Sequence, residues 1–224
     1  MIEQLLPITL ISGYLGAGKT TLLTQLLSNN QDKQIAVIVN DMSQINIDAE
    51  LLNLLAPIQH IENMIEFSNG CICCTLREDL FISIKALADS GKYDYLVIES
   101  TGISEPSQIA VNFERDTDNG LSLSDSAYLD NLITVVDGVQ FLTDLYSSTE
   151  VNGRDEFDDR CLSEIIVEQI EFASYILISK TDLISSAQID EIISVVRSLN
   201  TFARIDCIEN GEIAVDKILN TKLY

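Results

Sequence analysis

Basic residues are scarce in this sequence of 224 residues. It has 13 Lys and Arg against 35 Asp and Glu, which gives a formal charge of −22 with the single His neutral. Proteins bind nucleic acids and acidic membrane surfaces through clustered Lys and Arg, which displace counterions from the polyanion. A chain with this charge is repelled by such polyanions at long range. Nucleic-acid binding and membrane binding are therefore poor candidates for its function.

Long apolar runs and a secretory signal are also missing. No apolar run approaches the roughly 18 to 20 residues that a membrane-spanning helix needs. The N-terminal segment MIEQLLPITLIS carries an acid, whereas a secretory signal begins with basic residues. We therefore expect a protein of the reducing cytoplasm, in which the five Cys are thiols. Cys161 and Cys207 are isolated along the chain and are predicted to be core residues.

Short, apolar, β-branched runs alternate with longer amphipathic segments. The runs predict strands at residues 8–12, 35–40, 95–99, 132–137, 175–179 and 203–208. The amphipathic segments predict helices at residues 19–27, 76–88, 104–112, 162–173 and 186–199. Nearly continuous apolar strands are typical of a parallel sheet that is buried on both faces. The pattern predicts one α/β domain with a doubly wound, mostly parallel sheet, helices on both faces, and its site at the carboxyl ends of the strands.

Acidic residues are concentrated in the middle of the chain. Residues 112–171 contain 15 acidic and three basic residues, a net charge of −12. Within this part, residues 114–130 and 150–160 are polar and lack apolar periodicity. Such segments usually form solvated surface loops or insertions. Because nothing in them fixes a ligand geometry, we interpret them as loops and not as a cation site.

The segment GYLGAGKT at residues 13–20 matches the phosphate-loop pattern G-x-x-x-x-G-K-[ST] at every constrained position. It follows a predicted strand and opens a predicted helix, which is the context that the pattern requires. Its glycines let backbone N–H groups surround a β-phosphate. Lys19 offers a positive charge to the β- and γ-phosphates, and Thr20 offers a hydroxyl ligand to Mg²⁺. The predicted nucleotide contacts are Gly13, Gly16, Ala17, Gly18, Lys19, Thr20 and Thr21.

Two further segments follow predicted strands and are candidates for the magnesium and γ-phosphate contacts. The strand at residues 95–99 ends in Glu99, and an acid in this position beside a phosphate loop is expected to reach Mg²⁺ directly or through water. Gly102, in the next turn, would offer its N–H to the γ-phosphate. An acid that merely caps the strand is the alternative. In VNDMSQINIDAE at residues 39–50, Asp41 and Asp48 are candidates for a switch contact. The predicted catalytic residues are Lys19, Thr20, Glu99 and Asp41.

The segment SKTD at residues 179–182 resembles the N-K-x-D box with which GTPases recognise guanine. In that box, the carboxylate of the Asp accepts hydrogen bonds from guanine N1–H and the 2-amino group, and the Lys stem packs along the base. Asp182 and Lys180 would take these roles. Ser179 stands where Asn is usual, and a helix N-cap at Thr181 or Asp182 is a compatible alternative. The segment therefore favours guanine over adenine.

Three of the five Cys, Cys71, Cys73 and Cys74, lie within four residues. Thiolates at this spacing suit a soft or borderline cation such as Zn²⁺ or Co²⁺, and the tetrahedral shell of Zn²⁺ would take a fourth ligand from elsewhere. A redox pair and buried structural Cys are the alternatives, and the clustering favours a metal. The cluster lies between the phosphate loop and Glu99, where nucleotide-sensitive segments are found in such enzymes. We therefore expect the metal state and the nucleotide state to be coupled.

Together these segments resemble the CobW-like P-loop GTPases, which are relatives of the nickel chaperones for hydrogenase and urease, and within them the branch proposed as zinc metallochaperones. The segments that carry the resemblance are ISGYLGAGKTTLL, VNDMSQINIDAE, NGCICCTLREDL, VIESTGISEP, VVDG and SKTDL, from about residue 8 to about residue 184. The C-x-C-C motif is the most specific of them. The acidic lead-in and helix EFDDRCLSEIIVEQIEFASYIL suggest the zinc branch.

The resemblance implies a cytoplasmic GTPase that binds GTP or GDP, Mg²⁺ and Zn²⁺ and uses hydrolysis to pass zinc from Cys71, Cys73 and Cys74 to a client protein. Its intrinsic turnover would be slow, because no arginine finger is evident. A homodimer is compatible with the pattern. Family members usually continue into a second domain, so we expect residues 1–224 to be the GTPase domain alone. A zinc buffer or sensor without catalysis and an ATP-dependent P-loop enzyme are the alternative functions.

Overall fold

The computed structural model describes residues 5–29, 33–39, 64–66, 77–114, 122–147 and 161–224. Its strands are β1 (Leu6–Ser12), β2 (Ile35–Val39), β3 (Met64–Glu66), β4 (Tyr95–Glu99), β5 (Ala127–Asp137), β6 (Tyr175–Ser179) and β7 (Arg204–Cys207). Its helices are α1 (Lys19–Asn29), α2 (Arg77–Asp89), α3 (Pro106–Glu114), α4 (Phe141–Leu145), α5 (Leu162–Glu171) and α6 (Ser186–Leu199). Short 3₁₀ turns cover Thr181–Leu183 and Val215–Lys217.

The seven strands form one sheet in the order β3-β2-β4-β1-β5-β6-β7, and every neighbouring pair is parallel. The central strand β1 lies between β4 and β5, and the chain adds strands on both sides of it. Since all the strands run the same way, their carboxyl ends lie along one edge of the sheet. The predicted doubly wound, parallel α/β fold is confirmed.

Alternation of side chains along the strands explains why the sequence shows continuous apolar runs. Ile8 and Leu10 of β1 belong to one buried cluster, whereas Ile11 belongs to another on the opposite face. The cluster of Ile11 also holds four leucines of α1, and the cluster of Ile8 holds apolar residues of α2 and α3. A third cluster packs α4, α5 and α6 against β6. Both faces are therefore covered, and no described helix is long and apolar enough to cross a membrane.

The structure corrects several expectations for individual elements. Strand β5 begins at Ala127, inside the segment predicted to be a loop at residues 114–130, because its first residues pair with the start of β1. The short elements β3 and α4 had no predicted counterpart. Cys207 is exposed on the edge strand β7 and Cys161 is half-buried before α5, so the prediction that both are core residues was wrong.

A buried acid explains why the polar start of β5 is nevertheless a strand. Asp130 is fully buried, and its carboxylate accepts hydrogen bonds from the Tyr95 hydroxyl at 2.5 Å, the Thr221 N–H at 2.9 Å and the Lys222 N–H at 2.9 Å. Burial raises the pKa of Tyr95, and the hydrogen bond to Asp130 raises it further, so this phenol remains a donor. The same carboxylate thus fixes residues 221 and 222 to the amino-terminal end of the sheet.

We expect Asp130→Asn to lower the free energy of unfolding by about 2 to 4 kcal/mol, because the N–H groups of the amide would face the hydroxyl and N–H donors from which the buried carboxylate accepts. Urea denaturation followed by far-ultraviolet circular dichroism would measure the change. Asp125→Asn is the matched control, since Asp125 is exposed two residues before β5, and we expect it to shift the free energy by less than about 0.5 kcal/mol. Equal shifts in the two variants would contradict this role of Asp130.

Candidate nucleotide-binding site

The loop between β1 and α1 turns sharply at the carboxyl edge of the sheet. Gly13 has a φ of +135°, and a Cβ in its place would lie 2.3 Å from the carbonyl oxygen of Val135 in β5. Only glycine therefore allows the loop to pass this close to its neighbouring strand. Just before it, the hydroxyl groups of Ser12 and Thr134 are 2.9 Å apart in a buried hydrogen bond. The start of the loop is thus fixed to both β1 and β5.

Lys19, the first residue of α1, points back over this loop. Its ammonium group donates to the carbonyl oxygens of Gly13 at 2.7 Å and Tyr14 at 3.2 Å, and the residue is 8% exposed. The amino end of α1 adds backbone N–H groups and a partial positive charge at the same place. Amide donors and a buried ammonium group so arranged suit the phosphates of a nucleotide.

Thr20 and Glu99 meet beside the loop. The Thr20 hydroxyl donates to Oε1 of Glu99 at 2.8 Å, and Glu99 is 5% exposed at the carboxyl end of β4. The parallel pairing of Ile11 with Glu99 brings the two groups together, because it aligns the end of β4 with the end of β1. Hydroxyl and carboxylate oxygens are ligands that Mg²⁺ prefers, so the donor set fits this ion.

The turn that follows Glu99 rests directly on the phosphate loop. A Cβ at Gly102 would lie 2.6 Å from the backbone nitrogen of Leu15, so glycine is required for this close contact. The Ser100 N–H donates to the carbonyl oxygen of Ile11 at 3.0 Å. The side-chain amide of Gln169 in α5 donates to the carbonyl oxygens of Gly102 and Ser104 in this turn. Gln169 was not predicted as a functional residue, because it belongs to a regular amphipathic helical pattern and nothing in the sequence indicates its contact with this turn.

The predicted base-recognition residues lie at the end of β6. The Ser179 hydroxyl donates to the carbonyl oxygen of Ala17 at 2.7 Å, which connects this segment to the phosphate loop. Lys180 has a positive φ of 57°, and its ammonium group lies 2.5 Å from a carboxylate oxygen of Asp137. Asp182 is exposed in the following 3₁₀ turn. The three residues therefore line the same edge as the phosphate loop.

Asp137 is a functional candidate that the sequence reasoning did not assign, although it stands in the VVDG segment. Its second carboxylate oxygen accepts hydrogen bonds from the backbone N–H groups of Val139 and Gln140, at 2.9 and 3.3 Å. These contacts orient the carboxylate that holds Lys180. Burial raises the pKa of the neighbouring Asp144, and the negative charge of Asp137 adds to the shift. An acid at the end of a buried strand was the signal that could have identified Asp137.

The remaining predicted residues lie outside the described part of the chain. They are Asp41, Asp48, Cys71, Cys73 and Cys74. Strand β2 ends beside Glu99, and β3 ends beside β2, so the carboxyl ends of both strands lie at the edge of the sheet that carries Glu99. Within the described ranges, no group of three His, Cys, Asp or Glu could hold a metal ion.

Comparison with known proteins identifies the family. The family model for the CobW/HypB/UreG nucleotide-binding domain matches residues 7–206. The chain is 40% identical over 232 aligned residues to the "zinc-regulated GTPase metalloprotein activator 1" of Dictyostelium discoideum, covering 98% of this chain and 49% of that protein. It is 30% identical to the "zinc chaperone CobW" of a Sinorhizobium species, covering 96% of this chain and 62% of that protein.

Solved structures show the same fold. A zinc-bound triple mutant of the YjiA GTPase superposes with a TM-score of 0.68 at 24% identity and covers 99% of this chain and 63% of its own. The nickel complex of HypB from Helicobacter pylori gives a TM-score of 0.54 at 17% identity, covering 92% and 80%. The chain spans about half the length of the first curated relatives, 49%, 44% and 52% of them. The resemblance seen in the sequence is confirmed. The chain belongs to the CobW/HypB/UreG family and matches the nucleotide-binding domain of that family.

Proposed function

We propose that this chain is the GTP-hydrolysing domain of a zinc metallochaperone, in which binding and hydrolysis of GTP control the transfer of zinc to a client protein. The observation that carries the proposal is the contact between Thr20 and Glu99 beside the buried ammonium group of Lys19. The names of relatives that are zinc-regulated GTPase activators and zinc chaperones support the choice of nucleotide and metal.

In the nucleotide reaction, the loop at residues 13–20 binds the β- and γ-phosphates through its backbone N–H groups. Lys19 exchanges its contacts with loop carbonyls for phosphate oxygens and stabilises the charge that develops on them. Thr20 and Glu99 would hold Mg²⁺, which supplies further neutralisation of that charge. Gly102, which packs on the loop, would donate its N–H to the γ-phosphate. Asp41 is the proposed additional catalytic group on the segment after β2.

Guanine is selected by the segment after β6. The exposed carboxylate of Asp182 accepts hydrogen bonds from the guanine N1–H and 2-amino groups, whereas adenine has no matching donors. The stem of Lys180 packs along the base while its ammonium group stays with Asp137. Ser179 supplies a hydroxyl that connects this segment to the phosphate loop through Ala17. The segment that would bind the base and the loop that would bind the phosphates are thus joined by a hydrogen bond.

Zinc is the cargo of the proposed reaction, and Cys71, Cys73 and Cys74 are its proposed ligands. They lie on the segment that joins β3 to α2, which starts from the same sheet edge as Glu99. A change in the nucleotide loops would therefore act on the cargo site over a short stretch of chain. Thiolate ligands favour zinc over magnesium, so the two metals are separated by ligand chemistry.

We expect Lys19→Ala and Thr20→Ala each to lower kcat for GTP hydrolysis by about 100-fold or more, because each removes stabilisation of the transferring phosphate. Phosphate release in the presence of Mg²⁺ would measure the effect. Thr24→Ala is the matched control, since Thr24 lies one turn further along α1 and its hydroxyl donates to the carbonyl oxygen of Thr20. Unchanged turnover in the first two variants would remove the phosphate loop from the mechanism.

We expect Asp182→Asn to weaken GTP binding by about 100-fold, because the amide loses the charged acceptor for the guanine donors. The same variant should gain affinity for xanthosine triphosphate, whose 2-oxo group can accept from the new amide. Competition against a fluorescent GDP analogue would measure both affinities. The control is Asp190→Asn, an exposed acid of α6. Stronger competition by ATP than by GTP in the unmodified protein would contradict guanine selection.

We expect the zinc affinity of the unmodified protein to differ by about tenfold or more between GDP and a non-hydrolysable GTP analogue, as coupled sites typically do. Competition with a chromogenic chelator would measure it. A triple variant with Cys71→Ser, Cys73→Ser and Cys74→Ser should lose this zinc site. The matched control is Cys207→Ser, because partial desolvation of this edge-strand thiol and the charge of Asp206 raise its pKa and make it a poor ligand. Equal affinities in both nucleotide states would refute coupling.

A further inference from the structure

One buried amide joins α5 to the turn that follows Glu99. Gln169 is 2% exposed, and its side-chain nitrogen donates to the carbonyl oxygen of Gly102 at 3.1 Å and to that of Ser104 at 3.2 Å. Both partners are acceptors, and only the NH₂ end of an amide can donate to two acceptors at once. The orientation of the side chain is therefore fixed, and the turn is held at two carbonyl groups that are two residues apart.

The backbone of Gln169 is connected to the phosphate loop as well. Its carbonyl oxygen accepts from the hydroxyl of Thr134 at 2.6 Å, and that hydroxyl is 2.9 Å from the hydroxyl of Ser12. Ser12 is the last residue of β1, directly before Gly13. Gln169 thus contacts the Gly102 turn directly, and its backbone is linked through Thr134 to the start of the phosphate loop.

The preceding residue connects α5 to a second helix. The Ser107 hydroxyl donates to a carboxylate oxygen of Glu168 at 2.6 Å, across the contact between α3 and α5. Helix α3 begins at Pro106, only four residues after Gly102. Two neighbouring residues of α5 thus form hydrogen bonds with different partners, Glu168 with α3 and Gln169 with the Gly102 turn. A displacement of the turn would strain these bonds.

We propose that Gln169 is a positioning residue, which holds the Gly102 turn in the geometry needed for hydrolysis and so ties α5 to the nucleotide state. The proposal rests on the proposed GTPase function. The side chain donates to the carbonyl oxygens of Gly102 and Ser104, so it would act through the backbone of this turn. Ground-state binding depends on the loop at residues 13–20 and on Asp182, neither of which Gln169 contacts through its side chain. Its removal should therefore lower kcat more than it raises KM.

The first test replaces the amide with an apolar side chain of similar length. In Gln169→Met, we expect kcat per GDP-binding site to fall about tenfold, within the range observed for residues that act through a neighbour, while KM for GTP changes by roughly twofold or less. Normalising turnover to the number of sites that bind GDP removes the contribution of unfolded protein. An unchanged kcat, or a rise in KM that accounts for the whole loss, would overturn the proposal.

The matched control is Asn200→Leu. Asn200 is also a buried amide, and it donates to the carbonyl oxygens of Ile170, Glu171 and Ala173 at the end of α5. Its loss should destabilise the same helix without affecting the Gly102 turn. We expect this variant to lose stability but to keep its kcat per GDP-binding site. An equal loss of kcat in both variants would show that only the integrity of α5 matters and would overturn the positioning role.

A second variant gives a readout that a purely structural role would not move. In Gln169→Glu, an ionised carboxylate faces two carbonyl oxygens and cannot donate, whereas the protonated acid can donate to one of them. Burial raises the pKa of such a carboxyl group, which brings its protonation towards the working pH range. We expect kcat of this variant, relative to the unmodified protein, to rise as the pH falls from 8 to about 6. A constant ratio across this range would contradict the proposal.

Hydrogen exchange separates a failure of this inference from a failure of the proposed function. Replacing GDP by a non-hydrolysable GTP analogue should change amide exchange in residues 162–171 of the unmodified protein and of Asn200→Leu, and Gln169→Met should abolish the change. Binding of GTP without hydrolysis would refute the proposed catalysis, yet the exchange response would still decide whether Gln169 couples α5 to the nucleotide. If replacing GDP by the analogue changed amide exchange in residues 162–171 by the same amount in all three proteins, the coupling would be overturned.

Discussion

The parallel pairing of β1 with β4 on one side and β5 on the other is the constraint on which the candidate site depends. This pairing aligns the carboxyl ends of the three strands, so the phosphate loop, Glu99 and Asp137 emerge along one edge. Burial of apolar side chains on both faces of β1 fixes the register, because a shift by one residue would exchange the residues that face each cluster. The contact of Thr20 with Glu99 is a consequence of that register.

The same strands carry a second polar network at their other end. Asp130 and Tyr95 lie near the amino ends of β5 and β4, and they hold the backbone of residues 221 and 222. A buried carboxylate with several donors is costly to disturb, since each donor would be left without its acceptor. The structure thus anchors the sheet at both ends of its central strands, with nucleotide residues at one edge and a structural acid at the other.

The strongly negative charge of the chain does not prevent a proposed polyphosphate ligand. At short range, the phosphates would meet backbone N–H groups, the amino end of α1 and the ammonium group of Lys19, which is held within 3.2 Å of two loop carbonyls. Lys180, a second cation at this edge, is paired with Asp137 and is suited to packing against a base. Geometry within a few ångströms therefore outweighs the net charge at a distance, which ionic screening weakens further.

The sequence predicted the elements with uninterrupted apolar patterns well and those with polar residues or edge positions poorly. The strands at residues 95–99 and 175–179 and the helix at residues 186–199 have the predicted bounds, because their apolar periodicity is uninterrupted. The start of β5 was missed because Asp130 reads as a surface residue until its partners from residues 95, 221 and 222 are known. Cys207 was wrongly predicted to be a core residue because β7 is an edge strand. The position of a strand within the sheet cannot be deduced from the local sequence pattern.

By itself, the sequence determined the family, the parallel α/β fold and the phosphate loop, because these depend on local periodicity and on a contiguous motif of glycines followed by Lys and Thr. Only the tertiary structure brought Thr20 to Glu99, Lys180 to Asp137 and Gln169 to Gly102, over separations of 79, 43 and 67 residues. Such contacts arise from strand order and helix packing, in which residues far apart along the chain meet because buried apolar faces, and not the polar groups themselves, decide how the elements lie.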